Sequence, residues 1–367
     1  MKDKIVIRLT GFPGHSDSLS TGFKLFASYT PKQLRKAKDE AAINNGALAV
    51  IEFTPEQDVM SSKWTANAPF RYNRSYYEGD SQLPSFYETK LSSVDQPVNI
   101  TVAHIGPRAV HNLFKDESID LKKGEKQAAK TLVPFSQNLN GKKVHLSTSV
   151  DSRLMEVKNV LAMIPGKTDE IVVVGAHYDH LGKHGGYIFN GADDNASGSV
   201  AVTSIAKAFI ASGVQPERSV IFALWTAEEK GLHGSRYFTH HFPKMEKVKM
   251  YLNFDMIGRK ADWHSKENEV SMIYTKGNTH ITSTNQQNLD KYQLDLGIID
   301  GATEKGKAAN SDQVNFDAFG VPYFWYHTGG HQHYHQAGDH SNEIMWDKML
   351  RIIKLSYLNI WDFAHNL

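Results

Sequence analysis

The sequence predicts a two-domain α/β protein whose larger domain is built on a mixed, largely parallel sheet flanked by helices. Three observations carry this expectation. Short, continuous apolar runs recur at residues 171–176 (IVVVGA), 220–225 (VIFALW), 250–254 (MYLNF) and 321–326 (VPYFWY), as in strands buried on both faces. Helical periodicity fills residues 198–212 and a long amphipathic stretch at 345–365. The 367 residues exceed the usual size of one compact core, and a boundary near residues 138–143 divides them into 1–140 and 141–367.

Each element follows from local chemistry. Residues 4–9 alternate apolar and polar side chains and end in Gly11, Pro13 and Gly14, which reads as a strand and a turn. Residues 31–44 are charged and helix-favouring, and Asn45-Gly46 stops them. Residues 47–53 form a buried strand, 60–95 a loop rich in Ser, Tyr, Asn and Pro, 98–105 a strand and 107–114 a short helix. Beyond the boundary, residues 143–149 and 156–163 read as paired strands, followed by the buried runs and helices already given.

Composition narrows the function. Apolar residues make up 40% and charged residues 22%, an ordinary globular balance. The formal net charge of +1 gives no broad field toward nucleic acid or an anionic membrane. No apolar run approaches the ~20 residues that span a bilayer. There is no cysteine, which excludes disulfides, thiolate ligands and a cysteine nucleophile. The opening MKDKIVIRLTGFPG does not read as a signal peptide, because a strand pattern begins at once and no cleavage site follows.

Chemistry gathers at strand ends. Residues 171–176 lead into His177, Tyr178 and Asp179; 220–225 into Glu228 and Glu229; 250–254 into Asp255; and 321–326 into a His-rich stretch ending at His335. The carboxyl edge of such a sheet is where ligands bind. Asp194 stands at the mouth of the helix beginning near Ala196. Singly, an Asp before a helix is ordinarily a cap, a Glu pair a solvated loop and a strand-end His a structural group. Together, two imidazoles and three carboxylates without a thiol suit Zn²⁺. The charges match a two-metal site: Asp194, Glu229, Asp255 and a bridging hydroxide balance two Zn²⁺ ions, which in paired sites lie about 3.5–4 Å apart.

The blocks HYDHLG, GADDNASG, TAEEKGLHGS, NFDMIGR and YHQAGD, in that order, resemble the signatures of the zinc aminopeptidase family, across roughly residues 143–367. That family includes bacterial leucyl aminopeptidases, glutamate carboxypeptidase II and the transferrin receptor. The resemblance implies a zinc exopeptidase fold holding two Zn²⁺ per chain and acting on peptides with a free N-terminus. It implies that His177 binds one zinc, with Asp179 orienting its ring, and that Asp194 bridges both ions. Glu229 joins one zinc and Asp255 the other, with His335 completing the second. Glu228 becomes the general base and Tyr334 a hydrogen-bond donor to the tetrahedral intermediate. The bond between Asp194 and Asn195 is expected to be cis. Gln313 replaces a His of many relatives. Residues 4–14 and 36–53 resemble a protease-associated insert, implying a smaller β-rich α/β domain at 1–140 that holds the substrate's flank. In relatives a helical segment precedes this insert, which implies a longer protein with its signal peptide missing here and a periplasmic or secreted location.

Other signals are weaker. Residues 301–307 (GATEKGK) approach a phosphate-binding loop but continue with Ala308 where Ser or Thr is needed. His331 and His333 read as groups around the site rather than ligands, His240 and His241 as surface groups, and Trp225 and Trp325 as core. Three competing readings share this fold: a glutaminyl cyclase, a carboxypeptidase for acidic dipeptides and a non-catalytic receptor. The complete ligand set and Glu228 argue against the first and third, and the lack of an Arg cluster near the blocks against the second. Oligomeric state is open.

Overall fold

A computed structural model describes residues 1–15, 17–29, 31–53, 89–94, 100–115, 117–139, 141–147, 153–184 and 186–366. The chain forms two compact units: residues 1–85 with 96–153, and residues 86–95 with 154–367. The expected boundary at 140/141 therefore lies inside the first unit.

In the first unit, β1 (Ile5–Leu9), β2 (Ala49–Phe53) and β3 (Thr101–His104) form a parallel sheet in that order. Helix α1 (Thr21–Phe26) is capped by Ser20, whose Oγ accepts the Phe23 N–H at 3.0 Å. Helices α2 (Pro31–Asn44), α3 (Pro107–Phe114) and α4 (Leu121–Thr131) complete its described elements. Arg8, Glu52 and His104 lie in one row across the sheet, with Arg8 donating to both Glu52 and Asp39 at 2.6 Å. No group of metal-ligating residues occurs in this unit among the described residues. The expected loop at 60–95 lies outside the described residues except for 89–94.

The second unit holds β4 (Val160–Ile164), β5 (Ile171–His177), a small hairpin of β6 (Gly182–His184) and β7 (Tyr187–Phe189), and α5 (Gly198–Ser212). There follow β8 (Ser219–Trp225), α6 (His233–His241), β9 (Val248–Phe254), β10 (Glu269–Thr275), α7 (Thr279–Tyr292) and β11 (Gly297–Thr303). The chain ends with α8 (Gln313–Ala318), β12 (Tyr323–His327) and α9 (Trp346–His365). Seven strands make one sheet in the order β11-β10-β12-β9-β5-β8-β4. Only β10–β12 and β4–β8 pair antiparallel, so the mixed, largely parallel α/β sheet is as expected. One face packs on α5, α7 and α9 through Val172, Val174, Ile205, Phe209, Leu252 and Phe324; the other buries Trp225, Tyr251 and Phe316.

One local expectation fails. Residues 143–147 form no strand, while 148–152 lie outside the described residues, and the 156–163 strand shortens to β4. The segment 301–307 is not a phosphate loop, because Gly301 lies within β11 opposite Ile273. Trp225 and Trp325 are buried, and His240 and His241 are exposed at the end of α6.

Candidate metal centre

Neighbouring strands β12, β9, β5 and β8 run parallel and bring their carboxyl ends to one edge. β5 ends on His177, and Asp255 follows β9 directly. Glu228 and Glu229 follow β8 after Ala227, whose φ of 53° is left-handed. His335, at φ 56°, sits in the loop after β12. Left-handed backbone at residues with a Cβ is sparsely populated and gathers at functional sites.

Asp194 is placed by the turn at 191–198. Asn195 is buried and ties this turn to β9: its Nδ2 donates to Phe254 O at 2.9 Å and its Oδ1 accepts from Met256 N at 3.3 Å. The same Oδ1 accepts from Gly198 N at 3.0 Å, opening α5. Asp339 accepts from the backbone of Asp193 and Asp194 at 3.0–3.1 Å. Gly191 has φ 64°, and a Cβ there would lie 2.4 Å from Asp194 O and 2.6 Å from the His180 ring, so the turn requires glycine. The Asp194–Asn195 peptide is cis, as expected.

The side chains converge in two triangles that share Asp194. His177 Nε2 lies 3.3 Å from Asp194 Oδ1 and 3.4 Å from Asp255 Oδ1. His335 Nε2 lies 3.2 Å from both Asp194 Oδ2 and Glu229 Oε2. Ligand atoms about 2.0–2.1 Å from a tetrahedral ion stand about 3.3–3.4 Å apart, so these four imidazole–carboxylate distances have the spacing of a zinc site. His177 Nε2 is also buried without a hydrogen-bond partner, as a ligand atom would be. All five expected ligands are thus together, but the pairing differs. Asp255 stands with His177, and His335 with Glu229, because the loop after β12 carries His335 past β9 to the β8 side of Asp194.

Asp179 also differs in detail. The His177 Nδ1 partner is the backbone carbonyl of Asp179 at 3.0 Å, while its nearer carboxylate oxygen is 3.9 Å away. The carboxylate instead accepts from the Glu228 and Glu229 backbone at 3.0 and 3.3 Å, which holds the turn bearing both glutamates. The Tyr334 ring stacks on His335, with centroids 3.9 Å apart. His331 meets buried Asp193 at 3.3 Å, and His333 lies 3.4 Å from Arg259. Gln313 is buried, accepting from Asn253 and donating to Ala309 O.

Sequence reasoning missed two groups. His180 Nδ1 lies 2.8 Å from Glu229 Oε1, and the His, one residue beyond Asp179 in HYDH, was the available signal. Asp312 is fully buried with one oxygen on Ser235 Oγ, and nothing in its local sequence marks it.

The electrostatics without metal are those of crowded acids. Burial pushes Glu228 well above the usual carboxylate range, and Asp255, Asp312 and Glu229 add to this against the opposing pull of His177. Burial also opposes ionisation of Glu229, but His180 and His335 outweigh it and bring that carboxyl down to about 2. Burial disfavours the His335 imidazolium, yet Asp194 and Glu229 raise it to about 9. His177 is likewise held well above its ordinary value, with Asp255 and Asp194 overcoming burial. Buried carboxylates in this number call for a cation.

Residues 159–358 match peptidase family M28, and the chain belongs to that family. It is similar to leupeptin-inactivating enzyme 1 of Streptomyces exfoliatus, 33% identical over 167 residues covering 45% of this chain and 34% of that protein. It is also similar to leucine aminopeptidase 2 of Trichophyton rubrum, 40% identical over 103 residues covering 27% of this chain and 19% of that protein. The chain thus spans about a third or less of these curated relatives. Its fold is that of the aminopeptidase from Aneurinibacillus sp. strain AM-1, at a TM-score of 0.52 and 17% identity, covering 99% of this chain and 70% of that one.

Proposed function

We propose that this chain is a zinc aminopeptidase that removes N-terminal residues from peptides, with two Zn²⁺ held by His177, Asp255 and Asp194 on one side and by Asp194, Glu229 and His335 on the other. The observation that carries the reading is the pair of ligand triangles sharing Asp194 at zinc spacing. Relatives named as leucine aminopeptidases support the substrate class.

Bound zinc supplies Lewis acidity for a peptide carbonyl and lowers the pKa of an attacking water. The chain's residues do the rest. Glu228 is free of the triangles and takes the proton of the attacking water, then passes it to the departing amine. Asp179 holds the Glu228 backbone through its carboxylate and the His177 ring through its carbonyl. Tyr334, braced on His335, is the donor toward the oxygen that gains charge. The first unit is read as a protease-associated domain, and the protein as periplasmic or secreted, on sequence resemblance alone.

The test is metal analysis of the purified protein combined with a panel of aminoacyl amides. Two zinc ions per chain and amide hydrolysis that stops on chelation and returns with zinc are expected. A preparation that holds one ion at saturation, or that holds two and leaves every amide intact, sinks the proposal.

A further inference from the structure

Among the described residues, His180 is the one imidazole within hydrogen-bond distance of a proposed ligand carboxylate that the five-ligand set does not include. It rests on the two-metal reading above. Its side chain is 9% exposed, with Nδ1 2.8 Å from Glu229 Oε1 and 3.9 Å from Asp194 Oδ2. These three residues also fall within 4.8 Å as a possible metal group, so His180 is either a ligand itself or a partner of one.

The distances separate the two roles. His335 Nε2, Asp194 Oδ2 and Glu229 Oε2 make a triangle with 3.2 Å sides from the imidazole. His180 reaches the opposite oxygen of Glu229, and its 3.9 Å from Asp194 Oδ2 is too long for two ligands of one tetrahedral ion, which stand about 3.3 Å apart. A contact of 2.8 Å to a carboxylate oxygen is instead a normal charge-assisted hydrogen bond. An ionised carboxylate only accepts, so Nδ1 carries the proton. The other ring nitrogen, Nε2, is buried with no partner. The ring cannot drift: it packs against Gly191, where even a Cβ would strike it at 2.6 Å, and edge-on to His335 at 5.9 Å.

We infer that His180 is a positioning residue for one of the two metals: by donating Nδ1–H to Glu229 Oε1, it fixes Glu229 so that Oε2 faces the ion shared with His335 and Asp194. The His177–Asp255 side has no such contact with His180. Loss of a group that orients a ligand typically costs about 10–100-fold in metal affinity. The effect should therefore fall on one site and leave the other unchanged.

The test is calorimetric titration of zinc into metal-stripped wild type, His180→Ala and His180→Asn. Asn keeps an N–H near the position of Nδ1 but is a poor zinc ligand. Wild type should show two tight sites. His180→Ala should keep one of them and weaken the other about 10–100-fold, and His180→Asn should bring the weakened site back to within a few-fold of wild type. Two unchanged sites in His180→Ala would overturn the inference. A weak site that Asn does not restore would also overturn it, because His180 would then be binding the ion directly. Should His180→Ala fail to fold, His180→Asn decides alone: two tight sites support the hydrogen bond, and one tight site rejects it. Wild type that takes up a single ion counts against the two-metal reading instead, so the failures are distinguishable.

Discussion

Glu228 and Glu229 are chain neighbours whose carboxyls are driven apart by their surroundings. Burial raises both, but acids gather around Glu228 while His180 and His335 hold Glu229 at about 2. A ligand must be ionised and a base must be able to hold a proton, so the division of roles follows from the environment. Glu228→Gln should keep two zinc ions and lose about 10²–10⁴-fold in kcat, read by steady-state kinetics beside elemental analysis; near-normal turnover with both ions bound would move the base elsewhere. Asp312 offers a separate test. Burial raises its carboxyl from 3.8 to about 7, with Asp255 and Asp179 adding to burial against His177 and the Ser235 hydroxyl. A raised folded value means that stability is full below 3.8 and declines as pH rises through about 7. Asn keeps an acceptor for Ser235 without the charge. At about 1.4 kcal/mol per unit over roughly three units, metal-free Asp312→Asn should gain up to about 4 kcal/mol at pH 8 and little at pH 4. Urea melts at the two pH values check this, and equal gains at both would refute it. The five proposed ligands were legible because each follows a buried strand or opens a helix. Their pairing was not, because it depends on how the irregular loop between β12 and α9 folds back. Asp312 was invisible because its buried hydrogen-bond partner, Ser235 on α6, lies 77 positions away.

Among elements, the turn at 191–198 decides whether the strand ends act as one site. It joins β9 through Asn195, the loop before α9 through Asp339, and the start of α5 through Gly198. Its glycine is forced by the left-handed φ and by the close approach of Asp194 O and the His180 ring. Gly191→Ala costs about 1–2 kcal/mol for the backbone alone, and the clash displaces Asp194, which both triangles share. Zinc content after desalting should therefore fall at both sites together, unlike the one-sided loss expected at His180; two retained ions would show that Asp194 is placed independently of this turn. The elements that sequence patterning found are those whose pattern is local: IVVVGA, VIFALW and the amphipathic α9. It missed α7, THITSTNQQNLDKY, because Thr and Asn are poor helix formers. That helix is carried by Asn278, whose side chain accepts from Ile281 N at 3.3 Å, and by burial of Ile281 and Leu289 in the core shared with α9. It also missed β10 and β11, whose polar residues break the apolar run, so only pairing identifies them.

For the whole molecule, the acids and imidazoles that make the site also make the metal-free state sensitive to pH. His335 is raised to about 9 and His177 well above its ordinary value, both by neighbouring carboxylates that overcome burial. A histidine raised in the folded state contributes stability that is full below about 6.5 and is lost as pH climbs through its folded value. Glu228, also raised, works in the same direction. The metal-free protein should therefore melt progressively lower between pH 6.5 and 9. Zinc inverts this. It binds the deprotonated imidazoles, so protons compete with it below about 9, and its apparent affinity should rise with pH up to that value. Each tenfold gain in affinity adds about 1.4 kcal/mol to the loaded state at fixed zinc, and each kcal/mol moves the midpoint of a domain of this size by about 2–4 °C. Thermal melts of stripped and zinc-loaded protein at pH 6.5, 8 and 9 should show a gap that widens with pH, accompanied by release of protons on zinc addition at pH 7. Two melting curves that stay parallel across that range would mean that His177 and His335 do not give up protons to a metal, and the ligand assignment itself would fall.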